Sequence, residues 1–390
     1  MRVAALALGL ACLAAATVDC TTSELRSPTP VTVVALYNVT GAQSSLGVPS
    51  ARGAQLAMQQ INEHGGVLGR RLDLRIEDGR SDRAFLAQRA SDLLSLAPTA
   101  YIGLSDTDMV LAAAPAVTAS GRLFLTSGAT SPLLPEEIPG VSLACFGDNA
   151  QAAAAAEYAF QHVASRRAFV VYDTTSEYTR LLQTYFRSRY IELGGTLVSA
   201  TGYANGSELA AVATHVPTDV DMVFLASQPQ DALAGVVAFR AHGFTGTVIG
   251  GDSFDTEDFG PLHPEVDRVL FTTHADMTAP DEAMRAFTSD YEQSYGDAHP
   301  SSFAALGYDT VNLLAHAITL AGSSDPAAVR AALPHVADFQ GLTGTIAYDA
   351  SVPGLPVKSV TIIEVRNGQR SRVAMDVPQH VPSADTPVAP

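Results

Sequence analysis

From Pro30 onward, short apolar runs alternate with longer stretches whose apolar positions recur at helical spacing. Val31–Leu36 is apolar except for Thr32, as expected of a strand buried on both faces. Ser50–Glu63 carries Ala54, Leu56, Ala57, Met58 and Ile61 near helical spacing, and His64-Gly65-Gly66 ends it. A strand follows at Leu72–Ile76, a helix at Ala84–Leu96 and a strand at Ala100–Gly103. Met109–Ser120 is the next helix and Leu123–Leu125 the fourth strand. The same rhythm restarts after Asp148, with helices over Gln151–His162, Tyr178–Leu193 and Gln230–His242. Strands there fall at Ala168–Tyr172, Thr196–Val198, Met222–Ala226 and Thr247–Gly250. Strand alternating with helix at this spacing predicts parallel doubly wound sheets, and the restart predicts two similar α/β lobes.

The late segments break that rhythm. Val269–Thr273 leads into two long helices, Asp281–Tyr295 and Ser301–Ala321, and Gly344–Asp349 with Val360–Val365 has the pattern of a closing hairpin. The expected division is lobe one from 31–143 and 275–339, and lobe two from 144–274 and 340–376. Three chain crossings would then join the lobes near Ala144, Thr273 and Gln340. From Val377 a Pro- and Ser-containing tail should be loose.

The N-terminus adds a location. Arg2, the apolar run Val3–Leu13 and Ala14-Ala15-Ala16 have the order of a signal peptide. Two processing routes stay open: an A-x-A cleavage, or cleavage after residue 19 with a lipid on the Cys20 sulfur and residues 20–30 as a tether. Both put the mature chain outside the cytoplasm, with the membrane reached only through that lipid anchor. The formal net charge of −17 argues against nucleic acid as a partner. With three cysteines in the chain, Cys145 has no partner if Cys20 is lipidated, so disulfides should not hold the fold.

The strand ending at Leu125 is followed by Thr126-Ser127-Gly128-Ala129-Thr130-Ser131. Small hydroxyl residues and glycine at the carboxyl edge of such a strand offer backbone and hydroxyl groups where open α/β sheets bind ligands. An ordinary capped strand-to-helix loop has the same composition. No GxGxxG follows the first strand, and no GxxxxGK[ST], HExxH, GxSxG or CxxC occurs. Asp106 and Asp108 flank Thr107 without a third acidic residue in register, as in a loop or helix cap rather than a cation site. No cofactor is implied.

Thr40-Gly41 with Gly47, Gly53-Ala54-Gln55-Leu56-Ala57, and Ile61-Asn62-Glu63-His64-Gly65-Gly66-Val67-Leu68-Gly69-Arg70 together resemble stretches of the leucine/isoleucine/valine-binding family of ABC-transporter solute receptors, the type I periplasmic binding proteins. Leu125–Pro132, Asp148-Asn149-Ala150-Gln151, Tyr172-Asp173 with Tyr178, and Gly250-Gly251-Asp252 follow in order, so the likeness spans about Val31–Asn367. The resemblance implies a non-enzymatic receptor that holds an amino acid between two lobes and delivers it to an ABC permease. It implies that Thr107 binds the ligand carboxylate, that Gly128 and Thr130 serve its ammonium and carboxylate, that Tyr178 contributes from lobe two, and that Asp252 pairs with the ammonium. Three positions depart from the pattern: Leu46 replaces a large aromatic, Gln228 a tyrosine and Leu143 an arginine. Thinner, more polar walls imply a small to medium or polar ligand side chain rather than leucine. Two other readings remain: a sensory or envelope-assembly lipoprotein of the same fold, and a hydrolase using Ser127 or Asp252, for which no histidine lies near in sequence.

Overall fold

The computed structural model describes residues 28–296, 299–349 and 351–387. The expected signal peptide and Cys20 lie outside the described residues. The first sheet holds β1 (Val31–Tyr37), β2 (Leu72–Asp78), β3 (Ala100–Gly103), β4 (Leu123–Thr126) and β5 (Val141–Leu143) in the order β2-β1-β3-β4-β5. Every pairing in it is parallel. Its helices are α1 (Ser44–Glu63), α2 (Arg83–Asp92), α3 (Thr107–Ala119) and the short α4 (Leu134–Glu137). β3 and β4 are buried along their whole length, which is why they carry continuous apolar runs.

A second sheet begins after α5 (Asp148–Gln161), with β6 (Arg167–Asp173), β7 (Thr196–Tyr203), β8 (Met222–Ala226), β9 (Thr247–Gly250) and β10 (Val269–Thr273). Its faces carry α5, α6 (Glu177–Glu192), α7 (Leu209–Ala213) and α8 (Pro229–Ala241). The chain then returns to the first lobe with α9 (Glu282–Tyr295), α10 (Ser302–Ala321) and α11 (Pro326–Ala332). Val311, Leu314, Ile318 and Val329 join the core under the first sheet. A small sheet of β11 (Phe339–Gly341), β12 (Gly344–Tyr348) and β13 (Pro356–Val357) follows. Finally β14 (Val360–Arg366) and β15 (Gln369–Asp376) add two antiparallel strands to the second sheet, in the order β15-β14-β10-β9-β8-β6-β7. The second sheet is therefore mixed rather than wholly parallel.

Three expectations need correction. The third crossing is not near Gln340 but at Lys358-Ser359, because Ile346 and Tyr348 pack into the first lobe's core and Asp309 of α10 accepts the Leu342 and Thr343 N–H groups at 2.8 Å each. Gly344–Asp349 does not pair with Val360–Val365. The hairpin is β14–β15, turning through Asn367 and Gly368 at φ 50° and 73°, the two positive angles of a type I′ turn. The tail from Val377 is not loose over its described residues. Glu157 accepts the Gln379 N–H at 3.0 Å, Asn149 donates to the Pro382 carbonyl at 3.0 Å, and Tyr185 donates to the Ala384 carbonyl at 2.6 Å.

The crossings are tied to one another. Phe146 of the first stacks on His274 of the second, with ring centroids 4.1 Å apart, and Lys358 of the third donates to the Ala144 carbonyl at 3.3 Å.

Helices α1 and α10 meet through glycines. A Cβ on Gly53 would stand 1.9 Å from the Ala304 carbonyl oxygen, and one on Gly307 would stand 1.9 Å from that of Ser50. Backbone lies on the opposing side in both places, so the clash cannot be relieved by a rotamer change. Gly53→Ala is expected to cost about 1–3 kcal/mol by overpacking and to lower the melting temperature. An unchanged melting temperature contradicts this account of the helix contact.

Candidate functional site

The carboxyl ends of the parallel strands in both sheets face the same cleft, as the strand order of open α/β sheets dictates. Gln43 and Leu46 follow β1, Ser105, Asp106 and Thr107 follow β3, and Thr130 follows β4. From the second lobe come Tyr178 at the start of α6 and Asp252 and Ser253 after β9. Together they enclose a cavity of about 10 Å³, room for about one water molecule. The cavity as it stands has no room for a ligand of several heavy atoms.

Hydrogen bonds cross the cleft around this cavity. Gln43 Nε2 donates to Gln228 Oε1 at 2.8 Å, and Gln228 Nε2 donates to Ser176 Oγ at 2.6 Å. Asp108 of α3 accepts from the Ser176 hydroxyl at 3.0 Å and from the Glu177 N–H at 3.1 Å. A first-lobe carboxylate thus completes the amino-terminal cap of a second-lobe helix, where the helix dipole favours it.

Asp252 is the most heavily engaged group. Its Oδ1 accepts from Tyr178 at 2.9 Å and from Gln151 at 3.1 Å, and its Oδ2 lies 3.0 Å from His274 Nε2. A carboxylate only accepts, so Nε2 carries the proton, and the neutral ring leaves Nδ1 as an acceptor. Nδ1 is buried without a partner. Burial pushes the His274 pKa down against the pull of Asp252, so the ring is a neutral donor. Three neutral donors stabilise the Asp252 carboxylate without cancelling its charge. Asp106 caps α3 through Met109 N–H at 3.0 Å and accepts from Gln43 Nε2 at 3.1 Å. Burial, then the neighbouring Asp108, pushes the Asp106 carboxyl up to about 7. Burial, then Asp252, likewise raises that of Asp148 behind the cavity.

Two polar atoms of the lining residues are buried without partners: Thr107 Oγ1 and Gln43 Oε1. Unsatisfied buried groups are costly, and at a cleft they mark the positions a ligand would satisfy.

Of the positions singled out in the sequence, Leu46, Thr107, Thr130, Tyr178 and Asp252 line the one cavity. Gly128 does not. Its N–H donates to the Leu104 carbonyl at 3.2 Å, and a Cβ there would stand 3.0 Å from Ser105 Oγ and 3.1 Å from the Phe303 ring, so its lack of a side chain serves protein packing. Gln228 sits behind the cavity as part of the bridge between lobes. Gln43, Ser105, Asp106 and Ser253 line the cavity without having been singled out as ligand contacts. Their only sequence signal is their place just past a predicted strand, which many solvated loop residues share. Among the described residues no cluster of His, Cys, Asp or Glu could hold a metal ion, and no helix is long and apolar enough to cross a membrane.

A family model described as periplasmic binding protein matches residues 30–370. Leu/Ile/Val-binding protein homolog 1 of Brucella melitensis is 25% identical over 317 residues, 80% of this chain and 84% of its own length. An amino acid binding protein of Pseudomonas aeruginosa is 25% identical over 298 residues, 74% of this chain and 78% of its own. The structure of the leucine binding protein LivK of Thermotoga maritima superposes with a TM-score of 0.80 at 28% identity, over 89% of this chain and 99% of that one. A solute binding protein of R. palustris in complex with benzoate has the same fold at a TM-score of 0.79 and 19% identity, over 91% and 98% of the two chains. The two mixed α/β sheets are those of type I periplasmic binding proteins. This chain belongs to the periplasmic binding protein family, whose members bind solutes and are not enzymes.

Proposed function

We propose that this protein is the extracytoplasmic receptor of an ABC transporter, and that it captures a zwitterionic α-amino acid with a small to medium or polar side chain. The observation that carries the reading is the buried, unpartnered Thr107 hydroxyl facing the same cavity as Asp252 of the opposite lobe. Thr107 opens α3, so its hydroxyl and the first N–H groups of that helix are suited to a carboxylate. Asp252 and the oxygen of Thr130 are suited to an ammonium. The names of the Brucella and Pseudomonas relatives support an amino acid. No Lys, Arg or His lines the cavity, so a purely anionic aromatic acid would bring a further negative charge beside Asp106 and Asp252.

Ligand binding closes the lobes about the three crossings, and the closed form is what a permease receives. A lipid on Cys20 would hold the receptor at the membrane face. Small-angle scattering should show a smaller radius of gyration at saturating ligand than without it; a larger radius would contradict closure. A thermal-shift screen of amino acids beside urea, short amides and benzoates tests the ligand class. At a hundred times its dissociation constant a ligand adds about 2.7 kcal/mol of stability. Stabilisation by benzoate or urea, with none by any amino acid, would overturn the assignment.

A further inference from the structure

We propose that, within the amino-acid reading given above, the cleft selects ligands whose side chain ends in an amine or amide, read in lobe one by Asp106 and the free carbonyl oxygen of Gln43. Two carboxylates reach the cavity from opposite lobes, Asp252 from the second and Asp106 from the first. An α-amino acid with an apolar side chain brings one ammonium to these two buried acids. A second N–H-bearing group adds a ligand donor to Asp106 beside the Gln43 and Met109 N–H groups, and a cationic one favours its ionised form, which burial otherwise opposes.

A second feature of the site points the same way. Gln43 is buried, and its Nε2 is fully occupied by donating to Asp106 at 3.1 Å and to Gln228 at 2.8 Å. Both of those partners are acceptors, which fixes the amide with its oxygen turned away from them. That oxygen has no partner. An acceptor buried beside a carboxylate calls for a ligand N–H, and a methyl group there would leave it unsatisfied. The cavity offers little to an apolar side chain, since Leu46 is the one aliphatic side chain that lines it. Asp106 holds its place as the α3 cap, so the reading group is positioned by the fold before a ligand arrives.

Titration calorimetry on the full chain compares lysine with norleucine, which has the same chain length without the terminal ammonium, and glutamine with leucine. Lysine or glutamine should bind about tenfold or more tighter than its apolar counterpart, a factor worth about 1.4 kcal/mol. Asp106→Asn keeps a good helix cap and should remove most of the lysine-to-norleucine ratio. Equal binding of both members of each pair by the native protein overturns the proposal, and so does an unchanged ratio in Asp106→Asn. Putrescine serves as a probe without the zwitterion. Stabilisation by putrescine and by no amino acid sinks the amino-acid reading and keeps the donor-bearing ligand. Tight norleucine binding equal to that of lysine does the reverse. Binding of none of these probes overturns both.

Discussion

Replacing Asp252 with alanine should weaken amino-acid binding by about 2–5 kcal/mol, because a ligand ammonium would be buried without its counter-charge. The magnitude follows from how the carboxylate is held. Tyr178, Gln151 and His274 fix both oxygens, yet the three donors are neutral and leave the charge for a ligand to meet. Asp252→Asn separates charge from shape, since the amide fills the same space. It should lose most of the same binding energy while keeping the free protein's fold. Calorimetry on both variants checks this, and native affinity in Asp252→Asn would remove Asp252 from the binding role.

Arg189→Ala should destabilise the second lobe by about 3–5 kcal/mol. The Arg189 guanidinium lies 2.6 Å from Glu157 Oε1 in a pair that is almost fully buried, and the same carboxylate holds the tail through the Gln379 and His380 N–H groups. Removing the arginine strands a buried carboxylate and loosens the tail's anchor together. Urea unfolding should show a lower midpoint with an unchanged slope, and limited proteolysis should cut first after Val377. The double variant Arg189→Met with Glu157→Gln should recover part of the loss, because neither side then buries a charge. A double variant no better than Arg189→Ala would contradict the electrostatic explanation.

Much of the fold was legible where burial dictates composition. Ala100–Gly103, Leu123–Leu125 and Met222–Ala226 are apolar because both faces of each strand are covered. β15 was not legible, since Gln-Arg-Ser-Arg-Val-Ala-Met-Asp is an edge strand whose exposed positions are mostly polar, with Gln369, Ser371, Arg372 and Asp376 beside the apolar Met375. The Asn367-Gly368 pair is the hairpin signal that would have found it, and its positive φ angles need those residue types. α1 begins at Ser44, earlier than its periodicity implied. Pro49 and Gly47 obscure its first turns, and Gly47 is there because a Cβ would stand 2.0 Å from the Asn38 carbonyl oxygen. At the site, positions with a family counterpart could be named in advance. Gln43 could not, because an unpartnered carbonyl oxygen is a property of three-dimensional neighbours. Asp106 looked like a simple cap, and it is one; what sequence could not show is that the same carboxylate also faces the cavity.

In the proposed function an amino acid bridges the two lobes between Thr107 and Asp252. A crystal structure of the protein with the amino acid that stabilises it most tests this directly. The ligand should lie in the cleft, its carboxylate within hydrogen-bond distance of the Thr107 hydroxyl and its ammonium within hydrogen-bond distance of Asp252. A ligand bound outside the cleft, or one seated with its carboxylate toward Asp252, would contradict it.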